Sequence, residues 1–542
     1  MRRWSLALAV GAVIATGACE RQSLQLVVVL TIDQMRADYV QRFGPRFEGG
    51  LARLLERGAS YTEAHQDHGI TLTAPGHATI AAGVSPARCG IVANNWWQRS
   101  AGRTVYSVED RESPVLGRPA ARGTSPANLL CTTLGDWLKD HSPASKVFSV
   151  AFKDRPAVVQ GGTRADGVYW YDYDSGHWVT SSYYDDAYPE WVRGFNDARH
   201  PDKYFAGGWW RLLPEEEYAE SREDGFDYEA DGKATSFPHL FGIGEQPDPG
   251  FYKRLRYTPH ADELTLDFVR ELVVRDDLGK GEQPDLLFLG LSAADYIGHA
   301  YGPYSQEIQD EFLRLDRMLG EFLDFLDRRV GEGRYLVVLT SDHGVQAVPE
   351  ELQRRGEAAG RVSEAEFLEW LTPELERTAQ ALGFEQAPSM SFIYAGVVLG
   401  PPLAAPQDMA ALRRALADVL RRADFIEDAY TYEELLDEAT PDRPYLESFR
   451  RVFHPDRAPD IMLRVRENVL LGWPPLGTSH GSPYRYDTHV PLLFVGPGIM
   501  PGRFERPVRA VDIAPTLAKL MGFEAPSGLD GQPLMEVLQL RQ

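Results

Sequence analysis

Cysteine is the first scarcity of this 542-residue sequence: there are three in all. One of them, Cys19, falls in a leader-like N-terminal stretch, which leaves only Cys89 and Cys131 for the mature chain. In an oxidising compartment these two can pair, or they can remain two buried thiols, and spacing alone does not decide. Positive charge is also short. A formal net charge of -23 argues against a nucleic-acid backbone as the main partner, although a metal or a local cationic cluster can still attract a small anion. No apolar run, the leader's included, is long enough to span a bilayer, and there is neither an internal repeat nor a long low-complexity tract. With 43% hydrophobic and 25% charged residues, wholesale disorder is excluded. The length suits one large domain with insertions, or about two to three domains.

Residues 1–19 read as an export signal. Arg2 and Arg3 form the charged region, Leu6 to Ile14 the apolar region, and Thr16-Gly17-Ala18 a small-residue cleavage site. Cys19 directly after Ala18 opens a second reading, lipid modification of that cysteine, although the leucine usual in such a site is missing. The expected location is therefore the periplasm, with lipid anchoring or secretion as alternatives.

Apolar runs, each with polar residues at its exit, organise the rest. Leu26 to Ile32 is continuous and β-branched, as in a strand buried on both faces, and it ends at Asp33. Lys146 to Ala151 stops just before Lys153-Asp154-Arg155, Asp285 to Leu291 leads to Asp295, and Tyr335 to Thr340 leads to Asp342-His343. Ile461–Val465 and Pro491–Val495 are further strand-like runs. Helices are expected near Phe47–Arg57, Asn128–His141, Ser305–Arg329 and Ile513–Met521. This alternation predicts an α/β fold, a mostly parallel doubly wound sheet with helices on both faces, whose ligands bind beyond the carboxyl ends of the strands. Asp33, Lys153, Asp295 and Asp342 all fall there. Two insertions are expected, at about residues 160–255, where Tyr and Trp crowd together and cap the site, and at about 350–460, where helical runs dominate.

Within this frame Thr73 is the candidate nucleophile. It precedes Pro75-Gly76, and proline favours the first helical turn. A hydroxyl at a helix N-terminus sits where an anion is attracted, but it attacks phosphorus only if its pKa is lowered. Otherwise it is an ordinary helix cap. The groups able to activate it are three Asp and three His. Asp295 and His299 lie one helical turn apart, Asp342 and His343 follow a strand, Asp33 follows another, and a late histidine completes the set. Mixed Asp/His ligation with an open position suits zinc.

In chain order, Asp33-Gln34-Met35-Arg36, Thr73-Ala74-Pro75-Gly76-His77, Lys153-Asp154-Arg155, Asp295-x-x-x-His299, Ser341-Asp342-His343-Gly344 and Ser479-His480-Gly481 resemble the alkaline phosphatase superfamily. The resemblance is to its phosphate-irrepressible branch with a threonine nucleophile, related to nucleotide pyrophosphatase/phosphodiesterases. It covers about residues 25–530, so that 20–542 is expected to be one catalytic domain. It implies a three-layer sandwich with two Zn2+ ions, one held by Asp295, His299 and His480, the other by Asp33, Asp342 and His343, with Thr73 between them. His489 competes with His480 for the last ligand position, and Thr478-Ser479-His480-Gly481 favours His480.

In that branch an Asn/Lys/Arg trio accompanies monoester hydrolysis, which points to Asn94 (with Asn95 as the alternative), Lys153 and Arg155. Read as an extended segment, Lys153 and Arg155 project to one side and clamp the extra charge of a phosphate monoester. The expected activity is zinc-dependent hydrolysis of small phosphate monoesters through a phosphothreonine. The alternatives are a phosphodiesterase on the same scaffold and a non-catalytic metal- or phosphate-binding protein. A sulfatase is disfavoured by Thr-Ala-Pro-Gly-His where a Cys-x-Pro-x-Arg-type motif is required.

Overall fold

The computed structural model describes residues 23–230, 232–401, 408–473 and 475–539. The leader and Cys19 lie outside them. Among the described residues no helix is long and apolar enough to cross a membrane.

The continuous apolar run Leu26–Ile32 (β1) is buried along its whole length and forms the middle of a ten-stranded sheet. The other strands are Ala59–His65 (β2), Val147–Ala151 (β3), Gly167–Asp172 (β4), His177–Val179 (β5), Asp285–Leu291 (β6), Tyr335–Thr340 (β7), His489–Val495 (β8), Gly502–Phe504 (β9) and Val508–Arg509 (β10). Their order is β9-β2-β8-β7-β1-β6-β3-β4-β5, with β10 also on β2. β1 pairs in parallel with β6 and β7, and β3 in parallel with β6 and β4. β8 runs antiparallel to both β7 and β2, and β5 antiparallel to β4. The sheet is mostly parallel, as expected.

Because side chains alternate along a strand, β1 feeds two cores. Leu26, Val28, Leu30 and Ile32 pack with residues of the helices His260–Arg275 and Gln306–Leu326. Val27 and Val29 pack on the opposite face with Ile513, Leu517 and Trp137. These are the three layers of an α/β sandwich. The helices that position the site are Thr73–Ala82 (α1), Asp154–Gly161 (α2) and Ala293–Tyr301 (α3).

The two expected insertions differ from their sequence reading. Residues 167–179 are not irregular but form the β4–β5 edge of the main sheet; the irregular stretch begins after them. The second region is rich in helix, as expected, but is not helical alone. It holds a four-stranded sheet, Met390–Ile393, Gly396–Leu399, Ile461–Val465 and Ile426–Thr431 in that order, antiparallel throughout. Two helices, Glu364–Ala381 and Met409–Leu420, cover it with a core of their own. Ile461–Val465 therefore belongs to this smaller sheet and not to the main one. Cys89 and Cys131 form a disulfide.

Candidate active site

Three adjacent strands deliver the acids. β1 sits between β6 and β7 in register, Thr31 opposite both Gly290 and Thr340, so the chain leaves all three strands at one edge. Asp33 follows β1 directly, Asp342 follows β7 after Ser341, and β6 runs into α3, which carries Asp295 and His299 one turn apart. The Gln34 backbone N–H donates to Asp342 Oδ1 (3.1 Å), and its side-chain amide donates to Asp295 Oδ1 (2.8 Å). Gln34 thus stitches two strand exits together from a left-handed backbone, φ 66°. The Ser341 hydroxyl accepts from Met35 N–H at 2.9 Å, a second tie between the β1 and β7 exits.

Two sets of potential ligands result. Asp295 Oδ1 lies 3.3 Å from His299 Nε2 and 3.5 Å from His480 Nε2. His343 Nε2 lies 3.1 Å from Asp342 Oδ2 and 3.6 Å from Asp33 Oδ1. The His343 and His480 rings stack with centroids 3.5 Å apart, which brings the two sets against one another.

Each of the three histidines has its other ring nitrogen on a backbone carbonyl: His299 Nδ1 on Thr478 (2.8 Å), His343 Nδ1 on Gly344 (2.9 Å) and His480 Nδ1 on Thr71 (2.7 Å). Donation from Nδ1 selects the tautomer whose Nε2 carries the lone pair, as a metal ligand requires. Asp33 Oδ1, Asp342 Oδ2 and His343 Nε2 are buried with no hydrogen-bond partner among the described residues. Buried polar atoms left this way are costly unless something else occupies the space between them. Donor set, tautomers and orphaned atoms together fit metal ions.

The electrostatics agree. Burial, reinforced by Asp295 and Asp342, pushes the Asp33 carboxyl up. Burial also raises Asp342 to about 7, and it lowers His343 to about 4 and His480 to about 3. Asp295 is held low: burial opposes its charge, but Lys153 and His299 outweigh it. Such crowding of acids is what a cation relieves.

Thr73 is the first residue of α1 and nearly inaccessible. The first turn of that helix lies against the acids, since a Cβ on Gly76 would meet the Asp342 carbonyl oxygen at 2.3 Å. The helix is also tethered from the other side, through the Thr71 carbonyl that His480 engages. Asn94 Oδ1 accepts from Ala74 N–H at 2.9 Å, beside Thr73, whereas Asn95 is exposed at the start of a short strand.

Three expectations need correction or addition. Lys153 and Arg155 are not in an extended segment. Lys153 precedes α2 and Arg155 lies in its first turn, because Asp154 and Pro156 are first-turn residues. The Lys153 ammonium bonds Asp33 (2.7 Å) and Asp295, while Arg155 donates to the Tyr106 hydroxyl at 2.7 Å. His489 does not join the set; its ring stacks on His65 and its Nε2 meets the Thr62 carbonyl. His77, given no role from the sequence, is fully buried with Nε2 3.4 Å from Asp342 Oδ2. Its four-residue spacing from Thr73, one turn along the same helix face, was the available signal.

A family model, type I phosphodiesterase / nucleotide pyrophosphatase, matches residues 27–482. The chain belongs to that family. Its relatives there include alkaline phosphatase PhoV of Synechococcus elongatus, 35% identical over 95% of this chain and 93% of the other. Alkaline phosphatase PafA of Elizabethkingia meningoseptica is 32% identical over 95% and 94% of the two chains. The crystal structure of wild-type PafA superposes with a TM-score of 0.86, at 30% identity, over 95% of this chain and 99% of that one. Murine ectonucleotide pyrophosphatase / phosphodiesterase 5, 15% identical with a TM-score of 0.54, shares the fold.

Proposed function

We propose that this chain is an alkaline phosphatase that hydrolyses small phosphate monoesters in two steps through Thr73. The observation that carries the reading is the convergence of six Asp and His side chains, their imidazoles pinned by backbone carbonyls, on the helix start that holds Thr73. Asp295, His299 and His480 would hold one zinc ion, and Asp33, Asp342 and His343 a second. Bound there, the two ions would supply positive charge for the attacking and departing oxygens and acidify the Thr73 hydroxyl.

The chain's own groups do the rest. Thr73 Oγ forms a bond to phosphorus while the ester oxygen leaves with its bonding pair, giving a phosphothreonine. Water then breaks that bond and releases inorganic phosphate. The α1 N-terminus turns the positive end of its dipole toward the phosphoryl oxygens. Asn94 orders that first turn by accepting from the Ala74 N–H. Lys153 supplies a buried cation beside the carboxylates and Arg155 a half-buried one on the Tyr106 hydroxyl, and they meet the extra charge that distinguishes a monoester from a diester. In one solved PafA variant, Thr, Asn, Lys and Arg are substituted together, in the same order and with the same Thr-to-Asn and Lys-to-Arg intervals as Thr73, Asn94, Lys153 and Arg155.

One observation favours a second reading. Lys153 is engaged with Asp33 and Asp295, and a cation that only balances ligand carboxylates does not select monoesters. The family model that matches is also that of phosphodiesterases. The test is kcat/KM for an aryl phosphate monoester and a matching diester, in wild type and in Lys153→Ala/Arg155→Ala. Each charge-assisted bond to a buried anion is worth about 1.5–3 kcal/mol. Monoester turnover should therefore fall on the order of a hundred-fold or more, and diester turnover much less. Equal losses would move the phosphodiesterase reading ahead. The disulfide supports an exported protein, since such bonds persist in oxidising compartments.

A further inference from the structure

One group of potential ligands shares no residue with the centre described above: Glu63, His65 and His489. From these residues we propose an additional transition-metal site on the β2–β8 strand pair. The inference stands apart from the proposed reaction.

Its geometry follows from strand register. His65 and His489 are direct cross-strand partners, and their rings lie nearly parallel with centroids 4.9 Å apart. Glu63 is two residues before His65 on β2, so its side chain leaves the same face of the sheet. One donor atom from each of the three lies within 4.8 Å of the others. The His489 Nε2–H donates to the Thr62 carbonyl at 2.7 Å, which leaves Nδ1 with the free lone pair. This is the outer hydrogen bond that orients a ligating imidazole. His65 has an oxygen of Glu63 3.4 Å from its Nε2.

The site is reachable. The three residues are half-buried, and Asp38, Glu63, Arg485 and His489 line a groove of about 770 Å³. Burial and the neighbouring imidazole hold His65 below its usual pKa, and burial does the same for His489, so both rings are neutral at pH 7. The Arg485 guanidinium keeps the Glu63 carboxyl ionised, near pKa 2. Two neutral imidazoles and one carboxylate, with a fourth position left toward the groove, form a donor set for zinc, copper or nickel rather than for magnesium or calcium.

Arg485 is the competitor. It bonds both Glu63 oxygens, at 2.8 and 2.9 Å, from a side chain 59% exposed. An entering ion takes one of those oxygens from it, so Arg485 weakens metal binding without blocking it. Bound metal would cross-link β2 to β8.

The experiment is calorimetric titration of Zn2+ into holoenzyme purified with its own metal, with the bound equivalents counted by elemental analysis. Wild type should take up one further equivalent per chain. His65→Gln and His489→Gln should each weaken that equivalent at least about ten-fold, and Arg485→Gln should tighten it by freeing Glu63. Turnover of an aryl phosphate should be unchanged in His65→Gln. Should His489→Gln fail to fold, the half-buried His65→Gln and the exposed Arg485→Gln still decide the matter. Absence of the further equivalent in wild type, or its persistence undiminished in His65→Gln, overturns the site.

Discussion

The two halves of the candidate centre are built differently. Asp33, Asp342 and His343 come straight off the adjacent strands β1 and β7 and are fully buried. Asp295, His299 and His480 depend on a helix and a distant loop, and the His299 side chain remains 26% exposed, with Trp473 near its ring. The strand-exit half is enclosed by the sheet itself. The other half is held by two backbone carbonyls, those of Thr478 and Thr71. One ion would be locked into the fold, and the other held where solvent and substrate arrive.

The largest expected effect tests whether both halves serve one nucleophile. Thr73→Ala should lower kcat on the order of 10⁴-fold or more, as removal of a nucleophile does, while metal content stays at the wild-type value. Loss of metal along with activity would make Thr73 a structural part of one half and not the point where they meet. The second prediction concerns exchange. With limiting chelator, the ion of the His299 half should leave at least about ten-fold faster, because local opening is easiest where exposure is greatest. His299→Ala should abolish that fast phase alone, and a single uniform release rate would remove the distinction between the halves.

A third prediction addresses Lys153, which reaches into both halves through Asp33 and Asp295. In metal-free protein, Lys153→Met leaves these buried carboxylates uncompensated and should cost about 3–5 kcal/mol of stability. In metal-loaded protein the cost should be smaller, which paired denaturation curves would reveal. Equal costs would mean that lysine and metal do not share the work of balancing charge.

The smallest effect comes from a control region, buried carboxyls with no assigned ion. Burial, aided by Asp224, raises Glu307 from 4.5 to about 8, and burial next to Glu307 raises Glu229 to about 9. Between the unfolded and folded pKa values the native state binds more protons than the unfolded one, so stability falls as pH rises from about 4.5 to about 8. Glu307→Gln should flatten that slope and raise Tm at pH 9 by a few °C, on the order of 2–4 °C per kcal/mol recovered. An unchanged slope would show that the native carboxyl is already ionised.

Much of this was legible because the three site strands β1, β6 and β7 are continuous apolar runs followed by acids, and burial on both faces requires that composition. Their neighbours were harder to read. β2, Ala-Ser-Tyr-Thr-Glu-Ala-His, mixes buried and half-buried positions and carries no such run. An apolar run also has no direction, so neither the antiparallel course of β8 nor the place of Ile461–Val465 in the smaller sheet could be read from it. At Lys153-Asp154-Arg155-Pro156 the helix-start signal was present, an acid and a proline in the first turn, but the preceding strand suggested extension. His489 was a plausible ligand by type; only register with His65 shows that it faces elsewhere. The partnership of Lys153 with Asp33 and Asp295 spans more than a hundred residues in either direction, and no local pattern encodes it.

The Cys89–Cys131 bond closes a loop of 42 residues, and Asn94 lies inside that loop. Closing it before folding removes unfolded-chain freedom worth about 4 kcal/mol in the chain-entropy model. The cross-link spans the segment that holds the Ala74 N–H and none of the strands that deliver the acids. Reduction would therefore widen the unfolded ensemble and lower the stability of the whole fold by about that amount, without touching the carboxylates and imidazoles that the sheet sets in place. In such a molecule, sensitivity to thiols and sensitivity to chelators are separate properties, each written into a different stretch of chain.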